Sequence, residues 1–257
     1  MAKNLKTGTS ICITSAKGGV GKTTTVLNLA GMYELMQKKV LLIDLDLTNG
    51  GIALSLNKPY EKSISTLFQD INNNKYEELS SYVTKYDDYI DILPCAKDPR
   101  EANKINTSLI DVILDRAAFS YDIILIDTTH IFNDINLYTL DKSDKVLYLL
   151  SNDPVDLKNM KNVIAIFESL NITKYKVLLN DSFSPFKNYF SLYDIKNIIK
   201  TNIDYYLTNR FFIQNIDKYI MDGQILTLDK KIAKSYRKDY TVLMNIALDL
   251  IGGEDNE

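Results

Sequence analysis

Six short runs in this 257-residue chain are almost continuously apolar: ICITS (11–15), KVLLIDLD (39–46), YIDILP (89–94), YDIILID (121–127), KVLYLLS (145–151) and KVLLND (176–181). A strand with one wet face alternates polar and apolar residues. These runs do not, so both of their faces must be covered, as in a parallel sheet. The stretches between them have helical spacing. Residues 22–37 follow the first run. Residues 107–119 place Leu109, Val112, Ile113 and Leu114 near one face, and residues 156–170 do the same with Met160, Val163, Ile164 and Phe167. Residues 227–251 read as one long closing helix, and a further short strand is expected at 204–208. The alternation predicts an α/β fold of three layers, a mostly parallel sheet with helices on both faces.

Composition sets few further limits. Apolar residues make up 46% and charged residues 25%, enough for a sizeable core. The net charge of −3 argues against a whole-surface grip on nucleic acid. The two cysteines, Cys12 and Cys95, have no CxxC spacing and so give no zinc or iron–sulfur signature, and nothing indicates a secreted disulfide scaffold. The N-terminus is polar and no run is long enough to cross a bilayer, so the expected compartment is the cytosol. No domain boundary is visible. Residues 1–10 read as an N-terminal extension, 11–251 as a single domain and 252–257 as a flexible acidic tail. Residues 72–79 and 180–186 read as surface loops or helix entries.

The stretch SAKGGVGKTT (15–24) carries the chemistry. It joins the first predicted strand to the first predicted helix. Gly18, Gly19 and Gly21 permit a sharp turn whose backbone N–H groups, with those of Val20, Lys22, Thr23 and Thr24, can cradle a phosphate chain. Lys22 supplies positive charge to the terminal phosphates, and the Thr23 hydroxyl suits magnesium. Ala16 stands where the strict phosphate-loop pattern has its first glycine. Lys17 is a second lysine on the near side of the loop.

With that lysine, the loop resembles the deviant phosphate loop of the MinD/ParA family of ATPases, xKGGxGK[ST]. The resemblance extends over roughly 11–251. It implies a P-loop NTPase fold, ATP and ADP as ligands, magnesium as the metal, and a homodimer formed on ATP binding. Lys17 would reach across the dimer to the partner's nucleotide. In LLIDLDLTNGG, Asp44 would join the magnesium's water shell and Asp46 would orient the attacking water; side chains two apart share one strand face. YDIILIDTT resembles the family's Walker B strand, with Asp127 on magnesium through water. KVLLND resembles the strand whose final Asn, here Asn180, reads the adenine edge; Asp181 follows where the family usually has Arg. The resemblance thus implies Lys17, Lys22 and Asp46 as catalytic, Thr23, Asp44 and Asp127 as metal-holding.

Within the family, DLDLTNGGIALSLNKPYEKSISTLF and DILPCAKDPREA are most similar to the TadZ/CpaE-like branch, which positions and assembles Tad-type pili. That implies pilus-assembly or polar, membrane-associated proteins as partners and recruitment to the cell pole. Three other readings stay open. A ParA-like DNA-partition ATPase would use the basic run DKKIAKSYRK (229–238), though such a run is ordinarily a solvated helix face. A MinD-like membrane switch needs a basic amphipathic tail, and this one is acidic. A nucleotide-responsive scaffold would bind ATP with negligible hydrolysis. His130, the only histidine, has no neighbouring His or Cys and reads as a loop residue.

Overall fold

The computed structural model describes residues 8–102, 104–182, 189–211 and 216–252. The expected extension is therefore described only from Gly8 on, and residues 253–257 of the expected tail and 183–186 of the expected loop lie outside the described residues. Eight strands form one sheet: β1 (Thr9–Thr14), β2 (Val40–Leu45), β3 (Thr84–Lys85), β4 (Ile90–Leu93), β5 (Ile123–Thr128), β6 (Lys145–Leu150), β7 (Tyr175–Asn180) and β8 (Tyr205–Leu207). Their spatial order is β3-β4-β2-β5-β1-β6-β7-β8. All neighbours are parallel except β3 with β4.

The helices are α1 (Lys22–Leu35), α2 (Ile52–Ser55), α3 (Ile64–Asn72), α4 (Pro99–Ala102), α5 (Ser108–Ser120), α6 (Asp134–Lys142), α7 (Pro154–Ser169), α8 (Leu192–Ile199), α9 (Ile216–Asp222), α10 (Lys230–Ser235) and α11 (Arg237–Ile251). They divide between the two faces as side-chain alternation dictates. Ile11, Ile13, Val40, Leu42, Ile123 and Leu125 point to one face and pack under α1 and α11. Leu41, Ile43, Ile124 and Ile126 point to the other, under α3 and α5. On that second face β6 and β7 are covered by α7 and α8, through Met160, Phe167, Ile195 and Ile199. The six predicted strands and three layers are all present.

Two features differ from expectation. The closing helix is broken into α10 and α11 at Tyr236, whose φ of −117° and ψ of 37° leave the helical region. Tyr236 packs edge-on against Phe211 with ring centroids 5.6 Å apart, so a tertiary contact overrides a helical charge pattern. The antiparallel β3 was not foreseen; two residues carry no periodicity.

The same alternation aims the chemistry. Asp44 continues the Val40–Leu42 face and Asp127 the Ile123–Leu125 face, so both point toward α1 at the carboxyl ends of adjacent strands. They lie directly opposite each other in the β2–β5 register. β1, which feeds the glycine-rich loop, sits between β5 and β6. Its successor in sequence, β2, lies beyond β5, and the crevice at such a reversal of strand order is where open α/β sheets bind ligands.

Candidate nucleotide site

The loop from Ser15 to Gly21 turns between β1 and α1 through two left-handed glycines, Gly19 at φ 76° and Gly21 at φ 94°. Side chains rarely adopt that conformation, which explains glycine at both positions. A β-carbon added at Gly19 meets nothing within 4 Å, so that side of the loop is open. Beneath it the loop is braced. The Ser15 hydroxyl donates to the Lys17 carbonyl at 2.8 Å, and the Ala16 N–H donates to the Tyr148 hydroxyl at 3.0 Å.

Lys22 opens α1 and is buried, with its Nζ donating to Ser15 Oγ at 3.1 Å. Burial pushes its ammonium pKa down; the charges of Asp127 and Asp46 work against that shift. One residue on, the Thr23 hydroxyl donates to Asp127 Oδ2 at 2.5 Å. Asp127 and Asp44 are each 1% exposed. Burial pushes Asp127 up to about 7, against the Thr23 bond and the Lys22 charge, which pull it down. Burial pushes Asp44 up to about 8, with Asp127's charge adding to it.

The Oδ1 atoms of Asp44 and Asp127 are buried and, among the described residues, accept no hydrogen bond. Two such oxygens beside a threonine hydroxyl, at the foot of a glycine loop, fit a hard divalent cation. Among the described residues no three His, Cys, Asp or Glu side chains gather to hold a metal by themselves. Magnesium characteristically keeps waters and phosphate oxygens, so Thr23, Asp44 and Asp127 suit it as a partial shell.

The remaining expected residues lie around this centre. Asp46 is half-buried, and its Oδ1 accepts from Thr48 Oγ1 at 3.2 Å and Asn49 N–H at 3.3 Å, closing a turn after β2. Lys17 forms an ion pair with Asp153, 2.9 Å long. Asn180 ends β7 with both ends of its amide bonded: Nδ2 donates to the Val20 carbonyl at 3.0 Å, and Oδ1 accepts from Ser182 N–H and Oγ. It therefore ties β7 to the loop.

Several participants escaped the sequence reading. Asp153 caps α7 by accepting from the Val155 and Asp156 N–H groups. An Asp before Pro154 signals that cap, but nothing in sequence pairs it with Lys17. Gly50 and Ile52 bring the segment after β2 against Asp44. The Ile52 N–H donates to Asp44 Oδ2 at 3.1 Å, and a β-carbon at Gly50 would overlap Cys95 Sγ. His130 lies beside Gly18.

A buried carboxylate near the end of β5 thus stands beside a loop–helix joint whose lysine is also buried. A family model described as an AAA domain matches residues 8–184. The chain belongs to that family, among P-loop ATPases of the MinD/ParA type. It is 28% identical over 163 residues to the chromosome partitioning protein ParA of Myxococcus xanthus, a match covering 61% of this chain and 56% of that protein. Thus the aligned stretch spans little more than half of that relative. The fold of this MinD/ParA-type chain matches a ParA family ATPase from Chlorobium tepidum with a TM-score of 0.77 at 16% identity, covering 93% of this chain and 98% of that one. It also matches the septum site-determining protein MinD of Pyrococcus horikoshii, solved with Mg-ADP, with a TM-score of 0.73 at 18% identity over 95% and 96% of the two chains.

Proposed function

We propose that this chain is a nucleotide-driven switch that binds magnesium ATP, hydrolyses it slowly and pairs with a second copy while ATP is bound. The observation that carries this reading is the placement of Thr23, Asp44 and Asp127. One hydroxyl and two unsatisfied buried carboxylate oxygens meet at the foot of a glycine loop and beside a buried lysine. Relatives of the same fold include one solved with Mg-ADP, which supports the same ligands here. When bound, the magnesium nucleotide supplies the reactive phosphoryl group and the metal that polarises it. The chain's own residues position and stabilise. The loop N–H groups and α1's N-terminus orient the phosphates, and Lys22 offsets their charge. Asp46 orients the attacking water. Lys17 leaves Asp153 to serve the partner's site. Single-turnover hydrolysis tests the reading: wild type should turn over ATP and Asp46→Ala should bind it without turnover. Equal, negligible turnover in both would instead support a nucleotide-responsive scaffold.

The role within the cell that best fits the sequence resemblance is positioning or assembly of pilus machinery, as in the TadZ/CpaE-like branch. Among the described residues no helix is long and apolar enough to cross a membrane, so partner proteins would supply any recruitment to the pole. A second reading, DNA partition, draws support from one surface. Lys230, Lys231 and Lys234 on α10 and Arg237 and Lys238 on α11 are all exposed, while Asp239 is buried with its carboxylate accepting from Thr208. Asp239 turns inward and these bases face solvent, giving a local basic patch on a chain of net charge −3. An ATP-dependent, salt-sensitive shift of plasmid DNA, lost on replacing three of these lysines, tests it.

A further inference from the structure

His130 is the chain's only histidine, on the segment leaving β5. That segment is pinned at both ends. The Thr128 hydroxyl donates to the Ile13 carbonyl of β1 at 2.9 Å. The Ile131 carbonyl accepts from Asn136 Nδ2 at 2.5 Å and from the Asn133 N–H at 3.0 Å. Asn136 is 2% exposed and Asn133 caps α6, so this second pin is anchored in the fold. Between the pins, the imidazole rests on the glycine loop. A β-carbon at Gly18 would lie 3.6 Å from Nδ1, 3.7 Å from Cε1 and 3.9 Å from Cγ, with Nε2 farther off. Gly18 and His130 are both exposed, so the ring sits at the loop's open mouth rather than underneath it.

An imidazole at that place has a specific chemistry. Neutral, it donates one N–H; charged, it donates two. Charged groups on the loop and on the elements around it are Lys17 on the loop, Lys22 on α1, Asp46 after β2, Asp127 on β5, Asp134 at the start of α6, and Asp153 and Asp156 at the start of α7. Lys17 is paired with Asp153, Asp127 accepts from Thr23, and Asp156 accepts from Ser151. No hydrogen bond to a protein group is seen for the imidazole among the described residues. A ring held over a phosphate-binding loop with donors to spare suits an anion that emerges from the loop.

We propose that His130 is a specificity residue that donates to the terminal phosphate of a nucleoside triphosphate and so lets the site tell ATP from ADP. This rests on the phosphate-loop reading above. A diphosphate held by the same loop ends one group short and leaves the imidazole without its partner. The charge-assisted bond forms only with the longer nucleotide.

A single histidine makes the test direct. In the full chain without a polyhistidine tag, the imidazole Cε1–H gives one proton resonance. It is followed by NMR with magnesium plus a non-hydrolysable ATP analogue, and with magnesium plus ADP. The analogue should move the resonance; ADP should leave it in place. His130→Ala should weaken the analogue by roughly tenfold with ADP affinity unchanged, and His130→Asn, a neutral donor, should recover part of the loss. If both nucleotides bind yet leave the resonance alike, the inference is overturned while the phosphate-loop reading stands. If calorimetry detects neither nucleotide, the phosphate-loop reading fails and this inference goes with it.

Discussion

Lys17 and Asp153 face each other at 2.9 Å across the mouth of the glycine loop, and the same carboxylate caps α7. The ion pair holds the carboxyl of Asp153 below its usual range, chiefly through the Lys17 bond. Lys17 is thereby parked on its own chain. Both groups are partly exposed, so the pair is a weak restraint that a stronger anion displaces. Lys17→Ala should retain binding of ATP but lose ATP-dependent association and most hydrolysis, measured by sizing with and without magnesium ATP and by phosphate release. An unchanged hydrolysis rate would remove Lys17 from the partner's site.

At Gly50 the segment after β2 runs close to the Asp44 carboxylate. A β-carbon there would overlap Cys95 Sγ and come within 2.9 Å of Asp44 Oδ2. Gly50→Ala should cost about 1–3 kcal/mol of stability, as overpacking does. Adding Cys95→Ala should restore part of it, leaving the crowding at Asp44. Chemical denaturation of the two variants is the check, and no rescue by the second change would place the strain elsewhere.

The buried acids give a pH signature. Asp127 and Asp44 have folded pKa values raised to about 7 and about 8, against 3.8 for the ordinary group. Between about pH 4 and 8 the folded chain therefore holds more protons than the unfolded one, and its stability falls as pH rises. Metal-free protein should melt several degrees lower at pH 8 than at pH 5.5, and Asp44→Asn should flatten that slope. Lys22, pushed down by burial, acts with the opposite sign on the alkaline side. A melting temperature that rises steadily from pH 5.5 to 8 would contradict the burial of these two carboxylates.

Asn180 links β7 to the loop through Val20. Asn180→Ala should loosen the loop and weaken both ADP and ATP by a similar factor, about three- to tenfold from the loss of one buried hydrogen bond. A loss of preference for adenine over guanine nucleotides, with no general weakening, would instead assign the amide to base reading.

The sheet was legible because its strands announce themselves by burial on both faces, and Asp44 and Asp127 because each ends such a run. Strand order and register were not. Nothing local says that β2 crosses to the far side of β5, yet that crossing sets the two carboxylates opposite each other. The same limit hid every long-range partner. Asp153 signals a helix cap, and His130 signals nothing beyond its own solubility. Their places beside Lys17 and Gly18 come from folding α7 and the β5 exit onto the loop. The break at Tyr236 was hidden for a related reason, since the helical pattern around it is intact and its ring partner Phe211 lies 25 residues earlier.

Isothermal titration calorimetry of the full chain with magnesium and ADP, set beside Lys22→Ala and Asp127→Asn, tests the central claim most directly. Saturable one-to-one uptake by the wild type should appear, lost or sharply weakened in Lys22→Ala and losing its magnesium dependence in Asp127→Asn. Folded wild-type protein that takes up neither ADP nor ATP in the presence of magnesium would contradict it.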